Sequence, residues 1–256
     1  MSDQQVKSII EGARSDAKAD LCPLIDQLFP DFFACHGDRV AADDPAIIAG
    51  FATIEQHAVA VVATNKGREL KERLSTHFGS PTPQGYRKAL RMMQTAERLG
   101  VPIISLINTP GAYPGEEAEI SGQGQVLAQS ISSMLQLKTP ILTIIIGEAG
   151  SGGALALACA DQVWMLEHSM YTVLSPEGFA SIMWKDSKLA AQAAQMMHIE
   201  PEWLQQQQII EKLLPEKILD NQAHDLQQLI VQQLTEFDQI SLDELLVKRQ
   251  ARFRKF

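Results

Sequence analysis

Cysteine is scarce. Three residues in 256, Cys22, Cys35 and Cys159, form no CxxC pair and show no other spacing suited to zinc. That argues against a disulfide framework and a cysteine zinc site, with no metal expected in this chain, and it favours reduced thiols in a cytoplasmic protein. No apolar run approaches the ~18 residues of a membrane span. The opening MSDQQVKSIIEGARSDAKAD also lacks the apolar core of a secretory leader. An excess of positive charge is missing too: 31 acidic against 22 basic residues give −9, which argues against a general nucleic-acid binder. Phosphate-cradle signatures are absent from the glycine-rich stretch 147–154, which matches neither GxxxxGK nor GxGxxG.

What the chain does have is strand–helix alternation in its middle. Its length suits one domain with helical additions and buries a core without staples. Residues 1–36 read as helical, from apolar spacing at Val6, Ile9, Ile10 and then Leu24, Ile25, Leu28, Phe29, interrupted by Pro23 and Pro30. Residues 46–54 and 58–64 read as strands joined by a polar turn. A helix follows through YRKALRMMQTAERLG and closes at Gly100. The strand VPIISLIN then leads into the loop TPGAYPGEEAEISGQG and the helix QVLAQSISSMLQL. PILTIII, the stretch IGEAGSGGALALACAD and a strand, VWMLEHSMYTVL, come next. Beyond residue 178 the pattern is helical through FASIMWKDSKLAAQAAQMMHI and PEWLQQQQIIEKLL, ending in a polar tail, 221–256. The alternation predicts an α/β fold.

Two loops after consecutive predicted strands carry the chemical interest, TPGAYPG (109–115) and GSGGA (150–154). Glycine lets a backbone N–H approach a ligand with no Cβ in the way. A helix N-terminus adds unpaired N–H groups and a partial positive charge. Together they suit a developing oxyanion, for which one donor is worth ~2.7–4 kcal/mol. Close helix–strand packing is the plainer explanation; it accounts for one Gly-Gly better than for two such loops in succession. Residues 149–153 also lie one substitution from the GxSxG elbow, which raises Ser151 as a nucleophile. That role needs a histidine base, and His168, His198 and His224 stand in no recognisable motif.

GDRVAADDPAIIAG (37–50), NKGRELKE (65–72), FGSPTPQGYRKALRMMQTAE (78–97), INTPGAYPG (107–115), GEAGSGGALAL (147–157) and YTVLSPEGFASIMWKD (171–186) lie in a familiar order. Over residues 33–216 the chain resembles the alpha-subunit family of bacterial acetyl-CoA carboxyltransferases, within the crotonase/ClpP superfamily. The resemblance implies a crotonase-like ββα superhelix with N- and C-terminal helical extensions, divided as 1–36, 37–186 and 187–256. It implies transfer of a carboxyl group from carboxybiotin on a carrier protein to acetyl-CoA, giving malonyl-CoA for fatty-acid synthesis. In that reaction the cofactor supplies the base, and the enzyme positions the reactants and stabilises oxyanions. The implied partners are a carboxyltransferase beta subunit in an α2β2 assembly, the biotin carboxyl carrier protein and, in the wider ATP-dependent complex, biotin carboxylase. Zinc is expected in the beta subunit, held by a four-cysteine ribbon that this chain cannot form.

By the same resemblance the donors are the N–H groups of Gly111 or Ala112 and of Gly152 or Gly153, with Ala154 at the helix start as a further candidate. The sequence leaves each pair open. Lys66 and Arg68, which follow a strand end, are expected to hold CoA phosphates or the carboxylate of carboxybiotin, with Lys71, Arg87, Lys88 and Arg91 as further cations. A solvated or interface-paired basic surface is the competing reading. Tyr113 is expected to line the biotin pocket or to pack at an interface, and Glu148 to anchor a loop. A peptidase relative would need a histidine near the SPEG corner, where 171–176 offers none. A hydratase would need a glutamate where Leu155 stands. The chain departs from the family pattern at Asn108 (usually Asp), 118–123 (AEISGQ for AEERGQ), 63–68 (ATNKGR for GHQKGR) and 221–226 (NQAHDL for GGAHRD). These departures keep a non-catalytic assembly or regulatory paralogue in view, beside a ClpP-like hydrolase using Ser151.

Overall fold

The computed structural model describes residues 3–18 and 20–255. Its strands are β1 (Phe33–Ala34), β2 (Ile47–Ile54), β3 (His57–Thr64), β4 (Ile103–Thr109), β5 (Ile141–Gly150), β6 (Gln162–Leu166), β7 (Met170–Thr172) and β8 (Lys212–Leu214). They form one sheet in the order β1-β2-β3-β4-β5-β6-β8, with β7 also paired to β5. The β1–β2 and β2–β3 pairs are antiparallel, and all later pairs are parallel. The α-helices are α1 (Asp3–Ala13), α2 (Cys22–Leu28), α3 (Leu70–Ser75), α4 (Pro83–Leu99), α5 (Glu116–Ile120) and α6 (Gln123–Met134). They continue with α7 (Ser151–Ala158), α8 (Pro176–Trp184), α9 (Ala190–Met196), α10 (Pro201–Gln206), α11 (Asp220–Phe237) and α12 (Leu242–Phe253).

The central strands are apolar almost throughout because helices cover both faces. Ala60, Val62, Ile103, Ile107, Ile141 and Ile145 pack with Tyr86, Met92 and Met93 of α4, Val126 of α6 and Ala154 of α7. The alternate positions Val59, Val61, Ile104, Leu106, Leu142 and Ile144 pack with Leu24 and Ile25 of α2 and with Leu226 and Ile230 of α11. The period of two thus sorts one hydrophobic run between two layers. Helix α4 ends where expected, at Gly100 in the left-handed region (φ 67°).

Several elements differ from the sequence reading. VWMLEHSMYTVL is two strands, because the long β5 forks its pairing: Leu142–Ile145 face β6, while Glu148–Gly150 face β7. The loop after β4 contains α5. In the region expected to be helical beyond 187, Lys212–Leu214 instead extends the sheet beside β6, with the Lys212 ammonium 4.4 Å from the Trp164 ring centroid. Likewise β1 falls inside the segment expected to be a helical extension. The polar tail forms α11 and α12. Helix α12 is fixed by Arg249, 1% exposed, which donates to both Asp161 carboxylate oxygens (2.8 and 2.6 Å) and to the carbonyls of Met134, Leu137 and Thr139. A single charged side chain so placed orients the whole helix.

At the start of α11, Asn221, Gln222 and Ala223 hold φ of 49°, 57° and 56°. L-residues bear ~1–2 kcal/mol each in that region, and the related family carries Gly-Gly-Ala there. Gln222→Gly is therefore expected to raise the unfolding free energy by about 0.5–1 kcal/mol, seen as a higher urea midpoint at unchanged slope. An unchanged midpoint would mean that the segment carries no strain.

Candidate active site

Strands β4 and β5 are adjacent and parallel, so the turns leaving their carboxyl ends emerge side by side. Thr109 pairs with Ala149 at the last step of register, and beyond it the turns touch backbone to backbone. A Cβ on Gly150 would lie 2.0 Å from the Pro110 carbonyl oxygen. One on Gly153 would lie 2.3 Å from the Ala112 nitrogen and 2.6 Å from the Tyr86 hydroxyl, which is fully buried and has no hydrogen-bond partner. The glycines are bare because the two turns occupy each other's side-chain space.

This contact sets the donors. The Gly111 N–H donates to Thr109 Oγ1 (3.1 Å), whose own hydroxyl donates to the Gly79 carbonyl (2.7 Å). Gly111 is thus engaged within the protein, while the Ala112 N–H has no partner among the described residues. Across the contact, Gly150 caps α7 without a side-chain bond, so the first-turn N–H groups, Gly152 and Gly153 included, lie free of intrahelical partners. Gly152 is half-exposed, whereas Gly153 and Ala154 are buried. Ser151 makes the strand-to-helix bend with φ 56° and is exposed.

A cleft of about 500 Å³ opens at this helix start, lined by Ser151, Gly152, Leu155, Tyr171, Arg252 and Phe253 among others. Burial pushes the Tyr171 phenol up, so it stays protonated. No histidine lines the cleft. His168 lies 4.0 Å from Glu216, His198 stacks on Trp203, and His224 bonds Gln228. Ser151 therefore has no histidine base among the described residues lining the cleft, which counts against the hydrolase reading. Sequence reasoning missed Tyr171, Arg252 and Phe253. Tyr171 opens the family-like segment 171–186 without being singled out there; no motif marks Arg252 and Phe253, whose signal was only the cation–aromatic pair closing the last helix.

Lys66, Arg68 and Tyr113 do not line that cleft. The Lys66 ammonium pairs with Glu148, which also takes Arg14 (2.8 Å), and Arg14 reaches on to Glu177 (2.7 Å). Burial pushes the Glu148 carboxyl up, but Lys66 and Arg14 outweigh it and hold the pKa below the ordinary glutamate value. Glu148 is thus an ionised anchor, as expected of it. Arg68 and Lys71 are exposed. Arg87 pairs with Asp38 (2.8 Å), Lys88 with Asp43, and Arg91 donates to the Gly37 carbonyl (2.9 Å), so these cations tie α4 to the segment before β2. Tyr113 packs against His77, ring centroids 4.0 Å apart, over a separate cavity bordered by Asp44 and Glu117.

The departures at 108 and 118–123 lie off the cleft. Asn108 is buried behind the turns. Its amide donates to the Lys18 carbonyl and accepts from the Glu148 N–H (3.0 Å), a double role that needs both a donor and an acceptor. Ile120 and Ser121 are exposed.

Gly153→Ala is expected to displace the Ala112 amide, costing about 1–3 kcal/mol of stability from overpacking and ~10²-fold or more in kcat. Gly152→Ala meets only Leu127 at 4.0 Å and should fold as well as the parent; a melting comparison of the two decides. Asn108→Asp should cost about 1–3 kcal/mol at neutral pH, since a carboxylate facing the Lys18 carbonyl loses its donor. Burial raises the new acid's pKa in the folded state, so the deficit should shrink as pH falls and the carboxyl regains a proton to donate. A pH-independent deficit would contradict this account.

Residues 2–256 match the family described as acetyl co-enzyme A carboxylase carboxyltransferase-like. A relative from Streptococcus sanguinis, named acetyl-coenzyme A carboxylase carboxyl transferase subunit alpha, is 47% identical and is matched over 98% of this chain and 99% of its own. One of the same name from Streptococcus pyogenes is 46% identical over the same shares. Among solved structures, the transcarboxylase 12S chain superposes with a TM-score of 0.74 at 17% identity, over 93% of this chain and 45% of that one. The beta subunit of Pseudomonas aeruginosa geranyl-CoA carboxylase gives 0.66 at 18%, over 91% of this chain and 42% of that one. At such identities these two establish the fold alone, the crotonase-like α/β fold, and the chain spans less than half of either. The sequence relatives, matched end to end, settle the rest: the chain belongs to the acetyl-CoA carboxylase carboxyltransferase alpha-subunit family.

Proposed function

We propose that this chain is the alpha half of an acetyl-CoA carboxyltransferase, which moves a carboxyl group from biotin on a carrier protein to acetyl-CoA and stabilises developing negative charge with main-chain donors. The observation that carries this reading is the unsatisfied Ala112 N–H held against the first turn of α7, where Gly152 opens onto the cleft. With Gly111 committed to Thr109 and Gly153 packed against Ala112, Ala112 and Gly152 are the donors of choice. Gly152 opens onto a cleft walled by Leu155, Leu204, Ile209 and Phe253, where a donor acts in a low dielectric, and the Ala112 amide lies directly behind it against Gly153.

The donor set fits a carboxylated biotin, whose ring is apolar in body and whose urea and carboxyl oxygens accept hydrogen bonds. When bound, that group supplies the carboxyl and a nitrogen able to take the acyl proton. The chain's residues position the partners and donate; Glu148, spent on Lys66 and Arg14, is not the base. Lys66 anchors the second turn through Glu148, and the exposed Arg68 is left for CoA phosphates. Exposed apolar side chains at Val173, Ile182 and Met183 support a partner seat bordering the cleft. We assign it to a beta subunit carrying the zinc ribbon, in a cytoplasmic α2β2 assembly.

The purified chain should turn over acetyl-CoA and carboxybiotin only when the beta subunit is added; full activity alone rejects a shared site, and an inactive complex favours a non-catalytic paralogue. In the active complex Ser151→Ala should keep kcat within about threefold, whereas loss of a true serine nucleophile costs ~10⁶-fold.

A further inference from the structure

We propose that Arg252, in the last turn of α12, recognises the carboxylate that the reaction moves; the proposal rests on the carboxyltransferase reading of the site. Arg252 is 9% exposed and lines the cleft together with Ser151 and Gly152. Its Nε and Nη2 donate to the Glu211 carboxylate (2.8 and 3.2 Å), and Nη2 also donates to the Ile209 carbonyl (2.5 Å). The remaining nitrogen, Nη1, has no partner among the described residues. A guanidinium is a rigid planar fork, so fixing two nitrogens aims the third.

The support behind it is unusually firm for the end of a chain segment. Arg249, three residues earlier on the same face of α12, is locked to Asp161 and three carbonyls. Glu211, besides holding Arg252, accepts from the Val163 N–H of β6 (2.7 Å), so the sheet itself sets the position of the ion pair. The Phe253 ring, 4.9 Å from the guanidinium carbon, forms the adjoining wall.

The chemistry of the occupant follows from the lining. Leu155, Leu204 and Ile209 make the walls apolar, so a highly hydrated group such as a phosphate is disfavoured. Polar donors stand at two places, the first turn of α7 and Arg252 Nη1. A carboxylate offers two oxygens and takes a charge-assisted bond from the guanidinium. Because Glu211 already balances the charge of Arg252, a ligand without a carboxylate leaves no uncompensated cation behind. The two uncarboxylated partners are therefore tolerated and the two carboxylated ones preferred. The nearby cations Lys66 and Arg14 are committed to Glu148 and cannot serve instead.

The carboxylate can be read on the acyl product or on the carrier-borne donor, and the test separates them. The complex with its beta subunit is prepared as wild type, Arg252→Gln, Arg252→Lys and Glu211→Gln. Calorimetry gives the affinities for malonyl-CoA, acetyl-CoA and the biotinylated carrier; steady-state kinetics give KM for the carboxylated carrier. If the acyl carboxylate is read, Arg252→Gln weakens malonyl-CoA about tenfold or more and leaves acetyl-CoA within about twofold. If the donor is read, KM for the carboxylated carrier rises by the same factor while binding of the uncarboxylated carrier holds. Arg252→Lys, which keeps the charge and loses the fork, recovers part of either preference. Glu211→Gln, which keeps the guanidinium and loosens its aim, lowers the melting temperature and weakens the preference less than Arg252→Gln does. A preference unchanged in Arg252→Gln, or lost equally in Glu211→Gln, overturns the proposal. A wild-type complex that transfers no carboxyl group rejects the function beneath it, which is a different failure.

Discussion

Neighbouring strands in a sheet lie ~4.8 Å apart, and turns that leave adjacent parallel strands at the same end must either diverge or share space. Here they share it. Gly150 meets Pro110, and Gly153 meets Ala112, at separations that a single methyl group would abolish. Everything at the site follows from that contact. It places an unbonded amide of one turn beside the free first-turn amides of α7. The bend beside it, at Ser151, lies in the left-handed region, and Gly152 meets the cleft without a side chain.

The charges near this point hold the scaffold behind the turns. Lys66, Glu148, Arg14 and Glu177 run from the end of β3 to α1 and α8, and Asn108 stitches the same region to the Lys18 carbonyl. Buried ion pairs add little net stability after desolvation, but breaking one is costly, so they fix geometry more than they deepen the fold. Arg249 plays the equivalent part on the far side, seating α12 so that its last turn can wall the cleft. The site is thus a rigid meeting of sheet ends and helix ends, with loops restricted to the two short turns.

Much of this was legible from residue order. The alternation of apolar runs with helical periods located β2 through β6, α4 and α6, and the paired glycine loops pointed to main-chain donors. Which amide donates was not legible, because it depends on the Thr109 hydroxyl capturing the Gly111 N–H, a bond that no spacing rule anticipates. Lys66 looked like a free cation at a strand end; its commitment to Glu148, 82 positions away, is a product of the tertiary fold. The cleft wall on α12 was hidden for the same reason. A polar, weakly amphipathic tail says nothing about which sheet edge it will cover, and β8, three residues long, is too short to announce itself by alternation.

The contact between the turns also limits how this protein can change. A side-chain contact can drift, since a substitution on one side is open to repair by a complementary one on the other; the Lys66–Glu148 pair could in principle be exchanged in this way. At Gly150 and Gly153 the opposing atoms are the carbonyl of Pro110 and the nitrogen of Ala112. Main-chain atoms have no alternatives to offer. Those positions are closed to compensated evolution, and a lineage that loses either glycine can recover only by reverting.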